Sequence, residues 1–213
     1  MRKNKKKKMK YKISLLILAI LIVVVIILIG TKLFKKEDDA PVKVVDSIDN
    51  FGYTLDERDT KLMKDTYKEL KEVLKSSNVD YEDYAKVLAK LFVIDLFTLD
   101  NKINKYDVGS LEYVYPESLD NFKLNVEDTI YKLIENDSDG KRKQSLPIVK
   151  SIEVTDSKKD TFLLGKESKE SYTISLKWKY EKDLGYDTHA DVTLVALDNR
   201  LYVVSYNVGD ANE

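Results

Sequence analysis

Three stretches of this chain carry apolar residues at helical spacing. The predicted helices run from Thr54 to about Ser76, from Asp80 to about Thr98, and from Pro116 to about Glu135. Thr54 and Glu57 form a capping box, in which each side chain satisfies a free backbone donor at the start of the first helix. The second half of the second helix is apolar on nearly all sides, which predicts that it is the central buried helix.

After residue 145 the period of the pattern changes from 3.6 to 2, which predicts strands. The predicted strands are Ile148–Thr155, Tyr172–Tyr180, His189–Leu197 and Arg200–Val208. Asp198 and Asn199 form a good hairpin turn between the last two strands. A run of helices followed by a run of neighbouring strands is typical of an α+β domain, with the helices packed on one face of an antiparallel sheet.

The most apolar segment precedes all of these elements. From Ile13 to Ile29, 15 of 17 residues are Leu, Ile or Val, and insertion of such a segment into a bilayer is favoured by about 5–9 kcal/mol. A cleaved signal peptide is the alternative, but its apolar run is usually about 7–15 residues long, and no small-x-small cleavage site follows here. We therefore expect an uncleaved transmembrane helix at residues 13–30.

The charges around this segment predict its orientation. Residues 1–12 carry eight basic groups and no acidic group, which places the N-terminus in the cytoplasm and favours contact with anionic lipids of the inner leaflet. The predicted organisation is therefore a cytoplasmic tail (1–12), a single transmembrane helix (13–30), a linker (31–53) and an extracytoplasmic domain (54–213) in the cell membrane.

Composition excludes several functions. Residues 1–39 hold 11 of the 36 basic and 3 of the 37 acidic side chains, which leaves 25 basic and 34 acidic for the rest. Such an acidic domain argues against nucleic-acid binding, in which phosphate neutralisation supplies much of the affinity. The chain has no cysteine, a single histidine and no glycine-rich phosphate loop. We therefore expect no metal, no cofactor and no enzymatic activity.

The order of the elements resembles the nuclear-transport-factor-2-like cone fold. The segment Leu111–Pro116 before the third helix and the hairpin at Asp198 and Asn199 fit that order. The resemblance implies three helices packed on a curved antiparallel sheet. Single-pass proteins with such an outer domain are similar to assembly components of bacterial type IV secretion and conjugation machines, and to other small anchored envelope proteins. This implies that the partners are other membrane or envelope proteins, or further copies of the chain.

Cone folds can enclose a pocket between the sheet and the helices. The candidate pocket residues are Tyr84, Asp95, Trp178, Tyr180 and His189. Asp95 stands out because a carboxylate in an apolar helix is costly unless it is paired. Asp95 or His189 would contact a ligand or transfer a proton, with the aromatic side chains as walls. The alternative is that the aromatic residues fill the core and Asp95 is paired or exposed.

Two functions follow from these alternatives. The first, which we prefer, is an anchored interaction or scaffolding domain without catalysis. The second is an anchored domain that binds a small ligand, or acts on it by acid–base chemistry, in a cone pocket. A wide, dry cavity facing Asp95 or His189 would favour the second, and a filled core with an apolar surface would favour the first.

Overall fold

The computed structural model describes residues 42–209. The predicted basic tail and transmembrane helix lie outside these residues. Within the described part, no helix combines the length and the apolarity needed to cross a membrane.

The described residues form an α+β domain, as predicted. Its helices are α1 (Lys61–Leu74), α2 (Tyr81–Phe97) and α3 (Leu119–Asp128), and its strands are β1 (Val44–Ile48), β2 (Tyr53–Asp56), β3 (Val149–Leu164), β4 (Glu167–Tyr180), β5 (His189–Leu197) and β6 (Arg200–Val208). Strands β1 and β2 form a small antiparallel hairpin. The other four form an antiparallel sheet in the order β3-β4-β5-β6, against which the helices pack.

Helix α2 is the central helix, which confirms the prediction. Eleven of its 17 residues are buried. Asp80 caps its N-terminus and accepts hydrogen bonds from the backbone N–H groups of Glu82 and Asp83. Such caps satisfy donors that a helix start leaves free. The helix contacts all four strands of the large sheet, so the core lies between α2 and that sheet.

The predicted start of the first helix was wrong. Residues Tyr53–Asp56 form strand β2, and α1 begins at Lys61 with Thr60 as its cap. The reason is tertiary: Tyr53 and Leu55 alternate into the core, and the Thr54 N–H and hydroxyl donate to the carboxylate of Glu112 rather than capping a helix. Strand β1 also lies within the predicted linker, so regular structure begins before residue 54.

The third helix is shorter than predicted. It ends at Asp128 and not near Glu135, because the chain leaves the helical conformation at Thr129. This turn buries the ring of Tyr131, whose hydroxyl donates to the carbonyl oxygen of Leu96 at 2.9 Å. Leu133, which the helical pattern had placed on the apolar face, is 78% exposed.

The strand predictions were confirmed in position, but the first two strands are longer. Strands β5 and β6 have the predicted bounds, and Asp198 and Asn199 between them have φ values of 47° and 68°. Two consecutive positive φ values are typical of the type I′ turn of a two-residue hairpin. Strands β3 and β4 continue past the last residue that pairs with β5, so residues 161–170 form a two-stranded extension, here called the hairpin arm.

Candidate functional site

Two of the predicted pocket residues are part of the core. The Tyr84 side chain is fully buried, with its hydroxyl 2.5 Å from the hydroxyl of Tyr53. Trp178 is 1% exposed, and its ring lies 4.9 Å from that of Phe97, centroid to centroid. These aromatic residues therefore fill the interior at their positions and do not line an open pocket.

The other three predicted residues lie in two separate places. Tyr180 and His189 lie at one end of the large sheet, where the Tyr180 hydroxyl donates to the carbonyl oxygen of Asp187 at 2.7 Å. His189 is partly exposed, and its Nδ1 lies 3.0 Å from the hydroxyl of Thr188. Asp95 is near the C-terminal end of α2, eleven residues and about 16 Å of helix beyond Tyr84. It lines a different feature, a polar cleft.

The polar cleft has a volume of about 250 Å³ and is lined by the β2–α1 connection and the loop that follows α2. Its charged lining residues are Asp56, Arg58, Asp59, Asp95, Lys102, Asp107 and Glu112. Five carboxylates thus face two cations, and the cleft is locally acidic.

Asp95 is held by an ion pair and by the loop backbone. Lys102 Nζ lies 2.5 Å from Asp95 Oδ1, and the lysine side chain is only 6% exposed. Burial by itself lowers the pKa of Lys102, but the Asp95 charge outweighs this and holds the pKa above its ordinary value. The backbone N–H of Ser110 donates to Asp95 Oδ2. A Cβ at Gly109 would lie 2.8 Å from Asp95 Oδ1, so the close approach of the loop requires glycine there.

A second ion pair joins the β2–α1 connection to the same loop. Arg58 Nη1 donates to Asp107 Oδ2 at 2.6 Å, and Nη2 donates to Oδ1 at 3.3 Å. Burial by itself raises the pKa of Asp107, but the hydrogen bond from Arg58 outweighs it and the pKa lies below its usual value. The same carboxylate accepts the backbone N–H of Ile103 at 2.9 Å. This pair therefore fixes the loop as well as the arginine.

Two carboxylates of the polar cleft form no ion pair within the described part of the chain. Burial raises the pKa of Asp59 to about 6, although its bond from the Asp56 N–H at 2.7 Å acts against this. Burial also raises the pKa of Glu112, which accepts the Thr54 N–H at 3.1 Å and the Thr54 hydroxyl at 2.7 Å. Burial thus makes ionisation of Asp59 less favourable in the folded domain than in water.

The polar cleft holds one loop in place. Both cations are paired, and among residues 42–209 no three His, Cys, Asp or Glu side chains are arranged to hold a metal ion. Ser110, bonded to Asp95, leads directly into a segment that reaches strand β6, where Val114 pairs with Val203 and the Tyr115 N–H donates to the Val203 carbonyl oxygen at 2.9 Å. The polar cleft thus positions the segment that covers the first part of β6.

A larger groove begins where this segment leaves β6. It has a volume of about 560 Å³ and lies between α3 and β6, with eleven lining residues taken from residues 114–125 and from Val203–Val208. None of these eleven lining residues is charged, although 34% of all residues in the chain are charged. Phe122 and Tyr206 pack against each other at its base, with ring centroids 5.9 Å apart. We call this feature the β6 groove.

The outer edge of β6 is open along this groove. After Val203, no strand of the described part pairs with that edge as far as Val208. Proteins usually protect exposed strand edges with charged residues, because unpaired backbone groups there accept strands from other chains. The opposite edge strand, β3, has six exposed charged residues: Lys150, Glu153, Asp156, Lys158, Lys159 and Asp160. Strand β6 has only Arg200, at its first position, where the guanidinium stacks on Tyr53 and Tyr202.

Sequence reasoning identified Asp95 but missed its partners and the β6 groove. Lys102 and Ser110 lie in a loop without periodicity, so the pattern gave no sign that they fold back on α2. A usable signal was the cost of a carboxylate in an apolar helix, which calls for a nearby cation. The absence of charge from residue 201 to 209 was also visible in the sequence. Its meaning depends on the position of β6 at the sheet edge.

Comparisons with protein-family models, with curated proteins and with solved structures gave no match. The geometry of the polar cleft and of the β6 groove is therefore the basis for any functional conclusion.

Proposed function

We propose that this chain is an interaction domain without catalysis that binds an extended segment of another envelope protein along β6. The predicted helix at residues 13–30 would anchor it in the cell membrane, with the domain on the extracytoplasmic side. The observation that carries the proposal is the open, uncharged edge of β6 beside the β6 groove. Exposed strand edges bind peptides by adding a strand, in which main-chain hydrogen bonds supply affinity and adjacent pockets supply specificity.

The lining of the β6 groove indicates the chemistry of the partner. Phe122 and Tyr206 offer apolar surface, and Asn121, Asn125 and Asn207 offer amide donors and acceptors. None of the eleven lining residues would supply a counter-charge to a charged partner side chain that loses water here, which is costly. We therefore expect the bound segment to be extended and uncharged, with apolar and amide side chains.

The polar cleft supports this function indirectly. Asp95 holds Ser110, and the chain then runs to Val114 and Tyr115, which pair with Val203. This pairing shows that the outer edge of β6 accepts a neighbouring segment, and it leaves the next five residues of the strand for a partner. The order of three helices followed by an antiparallel sheet supports the cone-like interpretation, and with it a place in an envelope or secretion assembly.

The alternative of a small-ligand pocket has less support. Tyr84 and Trp178, its proposed walls, are packed in the core, and Asp95 is engaged by Lys102 and Ser110. His189 lies with Tyr180 at the end of the sheet, and it does not line the polar cleft that contains Asp95. The interaction domain is therefore the better-supported function.

The test is to place a charge on the edge of β6. In Asn207→Lys, the new cation lies in the β6 groove. It faces Asp191, the paired residue on the neighbouring strand β5, and opposite charges at such a pair are favourable, so folding should be preserved. Ser151→Lys, which faces Lys179 on β4, adds the same charge to the already charged edge β3 and controls for the added charge. A photo-crosslinking residue at Asn125 in the tagged full-length chain reports what occupies the groove in native membranes.

If the proposal is right, the crosslinker captures a partner, Asn207→Lys reduces capture by about tenfold or more, equivalent to about 1.4 kcal/mol, and Ser151→Lys leaves capture unchanged. Equal capture by both variants would contradict the proposal. A crosslinked product of twice the chain mass would identify the partner as a second copy. Thermal unfolding of each variant confirms that the domain stays folded.

A further inference from the structure

The hairpin arm projects beyond the body of the large sheet. Strand β5 pairs with β4 as far as Ser171, which lies opposite Val195. The next four pairs join only β3 and β4, from Thr161 opposite Glu170 to Leu164 opposite Glu167. At about 3.3 Å per residue, these four pairs extend the ribbon by roughly 13 Å. The arm therefore reaches away from the core with only two strands.

The end of the hairpin arm is apolar on both faces. Phe162, Leu163 and Leu164 are consecutive in β3, so by strand alternation Leu163 lies on one face and the other two lie on the opposite face. Leu163 is 68% exposed, and none of the three belongs to the hydrophobic core or packs against it. Phe162 and Leu164 are half-buried, and a two-stranded ribbon has no further layer that could cover them completely. We call these three residues the arm tip.

The hairpin arm carries no net charge, although residues 40–213 as a whole carry a net charge of −9. The arm itself, residues 161–170, carries two lysines and two acidic groups; with Lys158, Lys159 and Asp160 before it, the count is four lysines and three acidic groups. The three acidic groups are each paired with a lysine, in the pairs Lys158–Asp160, Lys159–Glu170 and Lys169–Glu167. Lys166, in the turn beside the tip, forms no ion pair with any residue of the described part. An anionic surface would therefore meet no net negative charge at the hairpin arm, and Lys166 is free to pair with it.

We propose that the arm tip inserts into the outer surface of a lipid bilayer that contains anionic lipids. A protein groove would cover one face of the ribbon and leave the other apolar face in water. A bilayer surrounds an inserted tip on all sides, so it covers both faces at once. The lysines next to the tip would lie at the level of the headgroups, where their alkyl stems stay apolar and their ammonium groups meet lipid phosphates. This inference does not depend on the β6 groove.

The chain has no cysteine, so a single introduced cysteine is a unique labelling site. The full-length chain with Leu163→Cys would be labelled with an environment-sensitive fluorophore and mixed with vesicles of phosphatidylcholine and phosphatidylglycerol. Leu133→Cys is the matched control, because Leu133 is 78% exposed and lies after α3, outside the arm. Vesicles with nitroxide-labelled lipids report direct contact between the fluorophore and the acyl chains.

The expected result is a blue shift and a loss of emission by nitroxide lipids at position 163, and neither at position 133. Vesicles of phosphatidylcholine alone should give a smaller shift, and Lys166→Glu should reduce the shift in anionic vesicles. Emission at position 163 that resembles that at position 133 would overturn the proposal. A blue shift without quenching by lipid would also overturn it and would assign the tip to a protein contact. Vesicle flotation tests the predicted anchor separately, and the emission at position 163 is decisive whether or not the chain floats.

Discussion

Replacing Asp95 with asparagine should destabilise the domain by about 3 kcal/mol, because it leaves the buried ammonium of Lys102 without its counter-charge. The two side chains are 17% and 6% exposed, respectively, so water replaces little of the lost interaction. The amide is a poor substitute for the carboxylate. Lys102 Nζ and the Ser110 N–H both donate to Asp95, and an asparagine has one acceptor oxygen.

The magnitude follows from the depth of the pair. At an effective dielectric constant of about 20, two unit charges about 4 Å apart attract each other by about 4 kcal/mol, and removal of one partner of a buried pair costs about 3–5 kcal/mol. Asp95 lines an open cleft, so we take the lower end of this range. Because the pKa of Lys102 is raised, the pair contributes fully at neutral pH, and the contribution is lost as the pH rises through the raised value.

Urea unfolding of residues 42–213, followed by the emission of Trp178, measures this loss. Trp178 is the only tryptophan and is 1% exposed in the core, so its emission reports global unfolding. Lys102→Met should also destabilise the domain, and the double variant with Asp95→Asn should cost less than the sum of the two, with a coupling of about 2 kcal/mol. A loss of less than about 1 kcal/mol in Asp95→Asn would refute the reasoning, because an isolated buried cation cannot be that well tolerated.

Three further substitutions test the loops around the polar cleft and the β5–β6 turn. Asp59→Asn should stabilise the domain by about 1–2 kcal/mol above pH 7, after allowance for solvent screening, since the raised pKa of about 6 makes ionisation of Asp59 unfavourable in the folded state. The gain should disappear below about pH 4, where aspartate is protonated in both states; a gain that persists there would contradict this sign. Gly109→Ala should cost about 2 kcal/mol in urea unfolding because its Cβ would meet Asp95 at 2.8 Å, whereas Gly209→Ala, with no atom within 4 Å, should be neutral. Asn199→Gly should raise the melting temperature slightly, by a stabilisation of about 0.5–1 kcal/mol, because a φ of 68° costs glycine nothing.

The parts of the fold that the sequence predicted well are those with strong local signals. Helix α2 has an N-cap, an apolar surface and a clear end, and all three agree. Strands β5 and β6 have a turn whose two residues both accept positive φ. When the local pattern, the cap and the turn residues all indicate the same structure, that structure agrees with the tertiary contacts and the prediction is correct.

The errors came from residues whose local motif and distant partner disagree. Thr54 and Glu57 satisfy the capping pattern, but Thr54 binds Glu112, 58 residues later in the chain. A motif of four residues carries no information about a partner so far along the chain, so the motif predicted a helix cap where the structure has a strand bonded to Glu112. The same limit applies to the polar cleft, where Arg58 and Asp107 meet across 49 residues.

The meaning of strand β6, whose single charged residue is Arg200 at its start, depends on topology as well as sequence. A strand with a single charged residue is ordinary in the middle of a sheet, where both edges are paired. The inner strand β5 is an example, since Asp191 is its single charged residue. The order β3-β4-β5-β6 places β6 at an edge, where the same composition exposes backbone groups to any strand that approaches. The other edge strand of the same sheet, β3, is protected by six charged residues, so low charge is not a general property of the sheet edges in this domain. An edge that is kept free of charge, beside a groove that is also free of charge, is a liability unless something covers it. That difference between the two edges is the strongest reason to look for a partner at β6.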